Sequence, residues 1–174
     1  MNWTQLLEGQ IKYEFRVADA LLARVEEGSL DWKPSTGSNW MTTGQLCMHL
    51  TSSCGMAMKG FVTGDWGMPG GMDPADMKPE DMLPPAEKMP AVSSVAEARE
   101  LLAKDEQAAL ESVAAAGEED LASKPTPAPW DPTPMPLGQR CLSLVAHLSQ
   151  HKGQLFYYLK LQGKPVDTHD LWGM

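Results

Sequence analysis

Two stretches of this chain, 64–92 and 117–136, are too rich in proline and glycine to hold a long regular element, so the fold must be built from what lies outside them. Proline removes a backbone donor and clashes with the preceding helical turn, which stops any helix that meets it. The first stretch reads GDWGMPGGMDPADMKPEDMLPPAEKMPAV. A structureless connection of that length is uncommon in a compact domain and often carries function. The remaining segments carry apolar residues at three- and four-residue spacing, the mark of one buried helical face. Ile11, Phe15, Ala18, Leu22 and Val25 define such a stripe in a first helix expected over 3–27, with Gly28 as its stop. Leu46, Leu50, Ala57 and Phe61 define a second over 43–62, capped by Thr42 or Thr43 and followed by Gly64. Ser94 and Glu97 have the spacing of a capping box and open a third helix, running to Ala114 on strong helix formers. The fourth is expected over 137–162, closed by Gly163 with Pro165 beyond. No segment alternates as a strand would, and no internal repeat is present. The expectation is all-α: one domain over 1–174, a four-helix bundle with long loops between helices two and three and between three and four.

The net charge of −9, with no basic stripe to offset it, excludes a nucleic-acid partner. No apolar run is long enough to span a membrane. The opening MNWTQLLEGQIKYEF lacks the basic and apolar regions of a signal peptide, from which a cytoplasmic location is expected. The cysteines are Cys47, Cys54 and Cys141. An odd number without a C-x-x-C pair argues against disulfides and zinc-thiolate sites, and small buried hydrophobes are expected instead.

His147 and His151, four residues apart on the fourth helix, project from one face a single turn apart. They run along one edge of the stripe formed by Leu144, Leu148, Leu155 and Leu159. His49 sits at the edge of the second helix's stripe, where Ser53 and Gly60 continue the same edge and leave space. A bundle that packs these two faces together brings three imidazoles to one point. Neutral imidazole suits zinc, nickel, copper or iron. Three such ligands leave a divalent ion its full charge and an open position, where water ionises near pH ~7 and a thiol is deprotonated. The spacing leaves a plainer reading open, since H-x-x-x-H pairs arise by chance and a histidine on an apolar face is usually a hydrogen-bonded core residue.

The stretch HLSQHKGQLFYYLKLQGKPV, over 147–166, resembles the C-terminal helix of DinB/YfiT-like proteins. The match rests on His147, His151, Lys152, Gly153, Gln154, Leu155, Tyr157, Tyr158 and Gly163, and LCMHL around His49 fits the stretch that carries that family's first ligand. The resemblance covers helices one, two and four and is thin over 64–93. It implies an up-down-down-up four-helix bundle, a divalent metal ion held by His49, His147 and His151, and a homodimer. Zinc is the metal expected, with nickel as the other choice.

Other residues are weighed against packing. His169 in the tail is expected at the surface rather than as a fourth ligand, and Trp172 is expected to dock the tail on the bundle. Met68, Met72, Met77, Met82 and Met89 fall in the long connection with irregular spacing, which favours soft packing over a copper(I) site. Trp40, Trp66 and Trp130 sit near helix ends as packing or pocket walls. Tyr158, on the same face as His151, is the candidate catalytic residue, as an acid or hydrogen-bond donor, with core packing as its alternative. Glu118, Glu119 and Asp120 read as solvated surface. Three functions remain: a metal-dependent transferase joining a low-molecular-weight thiol to a small electrophilic substrate, as the resemblance implies; a metal-dependent hydrolase; or a non-catalytic metal- or ligand-binding protein of a stress response.

Overall fold

The computed structural model describes residues 1–67, 76–78 and 84–174. Among these, six α-helices follow one another: α1 (Trp3–Leu22), α2 (Thr43–Leu50), α3 (Gly55–Thr63), α4 (Val95–Ser123), α5 (Leu137–Leu161) and α6 (Thr168–Trp172). Short 3₁₀ turns lie at Glu27–Ser29 and Ala86–Lys88. Two isolated β-bridges, Pro125 with Pro136 and Ala128 with Asp131, pinch the connection before α5, and no longer strand occurs among the described residues. Met68, Met72 and Met82 lie outside the described residues.

The bundle has four positions, with α2 and α3 sharing one. Side-chain pairings give the directions. Asp19 meets Arg99 while Glu118 meets Thr4, so α1 and α4 are antiparallel. Glu14 meets Lys152 and the Trp3 ring lies over Gly138, so α1 and α5 are parallel. Gln162 reaches Thr43 and His147 reaches Ser53, so α5 opposes α2 and α3. The result is the up-down-down-up arrangement expected. Its core includes Leu7, Ile11, Phe15, Leu46, Leu102 and Leu148, each at most 2% exposed. Burying each contributes about 2 kcal/mol. Cys47, Cys54 and Cys141 are buried in the core as small hydrophobes and are unpaired.

Three boundaries differ from expectation. Helix one stops at Leu22 rather than Glu27, and Gly28 lies inside a 3₁₀ turn. The turn carries the Glu27 carboxylate to the first amide of α4, at Val95. Helix two is interrupted over 51–54, for reasons given below. Helix three continues to Ser123, with Gly117 at φ +72° breaking its course, so the second connection begins at Lys124 and not at Gly117. That break turns the Glu118 carboxylate onto the amides of Trp3 and Thr4 at the start of α1, so Glu118 is a helix cap rather than idle surface charge. Ser94 caps α4 through the Glu97 amide, but the Glu97 side chain reaches Ser93 instead of closing a reciprocal box.

The connection before α5 is held by Arg140, which is 5% exposed and donates to the carbonyls of Thr126 and Thr133 and to the Asp131 carboxylate. The tail, for which no helix is expected from the sequence, forms α6. Asp167 and Asp170 cap it reciprocally. It docks on α1 through main-chain carbonyls: Tyr13 Oη donates to that of Trp172, Arg16 donates to that of Gly173, and Arg24 pairs with Asp170. The Trp172 ring itself stays 53% exposed, so the tail is docked by its backbone carbonyls, the Asp170 carboxylate and Leu171 more than by its indole.

Candidate metal centre

α2 and α5 hold the site. Thr42 and Gln45 form a reciprocal capping box that fixes the start of α2, and His49 falls in its last turn. Pro136 and Gly163 bound α5, and His147 and His151 lie mid-helix, where the backbone is most rigid. Leu46, Leu50, Leu148 and Leu155, all at 0% exposure, press the two helices together and set the histidines at the border of that contact. The ring centroids of His49 and His151 are 4.3 Å apart, those of His147 and His151 4.6 Å, and those of His49 and His147 5.3 Å. One nitrogen from each lies within 4.8 Å of the others. The three residues singled out from the sequence are therefore brought to one point.

The hydrogen bonds around the rings define which nitrogens are free. His147 Nδ1 is 3.1 Å from the Ser53 carbonyl oxygen, which can only accept, so the proton sits on Nδ1. His151 Nδ1 is 2.7 Å from Gln154 Oε1 and likewise donates to it. Both Nε2 atoms are then bare lone pairs, and they face each other at 2.8 Å. Two acceptors at hydrogen-bond distance with no proton between them repel, and a cation that accepts from both relieves the repulsion. The donor set and its outer hydrogen bonds thus fit a metal ion, in the manner of ligand histidines oriented by a carbonyl or amide partner.

Burial reinforces this state. It lowers the pKa of all three rings, that of His49 to about 4, with the neighbouring His151 and His147 adding to the effect. The rings are neutral and ready to donate lone pairs at physiological pH. A stability consequence follows for the metal-free protein. The folded pKa of His49 lies below its ordinary 6.5, so its contribution is intact above that pH and is lost as pH falls towards 4. After allowance for the part of the ring that water reaches, the loss is about 2 kcal/mol. Urea melts at pH 7 and pH 4.5 are expected to show the wild type losing that much relative to His49→Gln. Equal slopes for the two proteins would refute the assignment.

The other candidates are dispersed. Tyr158 is buried against Trp32 and Trp40, with ring centroids at 5.4 and 6.3 Å, and its hydroxyl donates to the Met41 carbonyl. His169 is 70% exposed and pairs with Asp167, away from the cluster. The space beside Gly60 is filled: the Trp66 ring lies where a Cβ would stand, and it packs on Phe61 and Trp130. Trp66 is a packing residue there, and Gly60 gives no room to the histidines. Lys152, part of the family-like motif, points to the other side of α5, where it is 3% exposed and pairs with Glu14 at 2.7 Å. That pair pins α5 to α1.

Two contributors escaped the sequence reading. The Ser53 carbonyl carries no side-chain signature, so nothing in the sequence could mark it. Asp105 left a signal: it stands within the α4 stripe Ala98, Leu102, Asp105, Ala109, Val113, where every other member is apolar. It is 3% exposed, and burial pushes its carboxyl up to about 6 against the pull of three backbone amides.

Fold and site together define an all-α bundle in which two helices gather three histidines into a cluster able to hold a metal ion. The family model of the DinB superfamily matches residues 10–155, a span that includes α2, α3, α4 and all three histidines. The chain belongs to the DinB superfamily. Neither the curated proteins nor the solved structures yield a match. Among the described residues no helix is long and apolar enough to cross a membrane.

Proposed function

We propose that the protein is a metal-dependent enzyme that joins a low-molecular-weight thiol to a small electrophile, with one divalent ion, zinc before nickel, held by His49, His147 and His151. The observation that carries the metal reading is the approach of His147 Nε2 and His151 Nε2 to 2.8 Å with the His49 ring beside them. An ion bound there supplies a full positive charge that acidifies a thiol or water beside it. The chain's own thiols do not suit the role of nucleophile: burial raises Cys47 and Cys141 to about 12 and Cys54 well above its ordinary value. A thiol nucleophile therefore has to be brought in, which favours an external thiol.

Tyr158 belongs, on this reading, to the substrate side of the site and not to the ion. Seven residues separate it from His151, a rise of about 10 Å along the helix. Burial raises the pKa of its phenol, so it keeps its proton, which the hydroxyl gives to the Met41 carbonyl until a substrate oxygen takes that place. Tyr158→Phe is expected to leave bound metal unchanged and raise KM for the electrophile by about tenfold, the value of one hydrogen bond. Unchanged kinetics would leave Tyr158 a packing residue.

The test of the function is consumption of a panel of electrophiles by the zinc-loaded protein with and without an added thiol. Loss that requires the thiol supports transfer. Loss without it supports the second reading, a hydrolase, which the same three neutral ligands would serve. No turnover of either kind supports a metal-binding protein without catalysis.

A further inference from the structure

The interruption between α2 and α3 is built by a residue on a third helix. Asp105 Oδ2 accepts from the amides of Gly55 at 2.9 Å and Cys54 at 3.3 Å, and Oδ1 accepts from that of Met56 at 2.9 Å. These are the first amides of α3, which have no partner within the helix. Gly55 lets α3 come this close: a Cβ there would stand 1.9 Å from the Asp105 backbone oxygen. The first helical bond of α3 runs from the Met58 amide to the Cys54 carbonyl. In an unbroken helix the Ser53 carbonyl would accept from the residue four positions on. Here α3 begins one residue too late to use it, and that carbonyl takes His147 Nδ1 instead.

We infer that Asp105 is a positioning residue for the histidine cluster: by capping α3 it starts that helix after Ser53 and so frees the carbonyl that fixes the tautomer and direction of His147. This inference rests on the metal reading only for its effect on affinity. Its effect on the tautomer exists in the metal-free chain. α4, which carries no histidine, is thereby coupled to the site.

The experiment separates the two. Nitrogen-15 NMR of the histidine rings in the metal-free protein reports which nitrogen holds the proton. The wild type is expected to show His147 protonated at Nδ1. Asp105→Asn, which keeps the shape but sets an amide nitrogen against a backbone N–H, is expected to show a mixture of tautomers, and Asp105→Ala a larger shift. Zinc affinity measured by chelator competition is expected to fall about tenfold for Asn and about a hundredfold for Ala, the range seen when the outer partners of metal ligands are removed. Leu7→Ala, in the core away from α3, serves as the control for general loosening and should keep the wild-type tautomer and affinity. If Asp105→Ala does not fold, the Asn variant carries the test. A His147 ring that stays protonated at Nδ1 in the Asn variant overturns the inference, and so does a Leu7→Ala chain that shifts as much. A wild type that binds no zinc, yet shows the tautomer change on substitution, overturns the metal reading alone.

Discussion

His147→Ala is expected to weaken zinc binding by about a hundredfold to a thousandfold, the share of one ligand in the total affinity of an imidazole site. Two effects coincide at this residue. The variant loses a ligand, and it also leaves the Ser53 carbonyl without the ring that it orients. His151→Ala removes the other of the two facing lone pairs and is expected to act as strongly. His49→Ala is expected to fall at the lower end, since among the described residues its ring meets the other two imidazoles but no hydrogen-bond partner that would hold it in place. The measurement is elemental analysis of untagged protein, followed by chelator competition. Full metal retained by all three single variants would mean that the ion sits elsewhere and that the histidines are packing residues.

Gly55→Ala is expected to destabilise the fold by about 4 kcal/mol and to lower Tm by about 12 °C. The added methyl would meet the Asp105 carbonyl oxygen at 1.9 Å, its carbon at 2.8 Å and the Ala109 nitrogen at 2.9 Å. All three are backbone atoms of α4, so no side chain can swing aside. α3 would have to retreat, stretching the three hydrogen bonds to the Asp105 carboxylate. Gly9→Ala makes the matched control with the opposite sign. Gly9 lies in α1, is exposed and has nothing within 4 Å of a built Cβ. Alanine there is expected to add about 1 kcal/mol by helix propensity. Thermal melts of the two variants that agreed in sign would contradict the close approach of α3 to α4.

The bundle was legible from spacing, and the histidine cluster from spacing joined to the resemblance of 147–166 to DinB-like proteins. A 3.6-residue period puts His147 and His151 on one face whatever surrounds them, and the same period puts His49 beside its own stripe. What was not legible depends on atoms far away in the chain. The sequence over 43–62 reads as one helix, and locally nothing forbids it. The break comes from a carboxylate some fifty residues on, acting through space at Cys54, Gly55 and Met56. Glycine at 60 reads as empty space, yet the Trp66 ring occupies it, because a glycine invites a neighbour as readily as it leaves a gap. Periodicity reports which face is buried and says nothing of what arrives to cover it.

Three helix starts in this bundle are capped from other elements, in addition to any local caps. Glu27 serves α4, Glu118 serves α1 and Asp105 serves α3. The first turns of a helix ordinarily open at little cost in free energy, and their amide protons are the first to trade with water. Here the amides at three helix starts are bound to carboxylates that belong to other parts of the bundle. They exchange only when two elements part, so what would be fraying in an ordinary bundle becomes an opening of α4 against its neighbours. Slow exchange at Val95, Thr4 and Gly55 would then report the integrity of the whole assembly, and the histidine cluster would loosen with it rather than ahead of it.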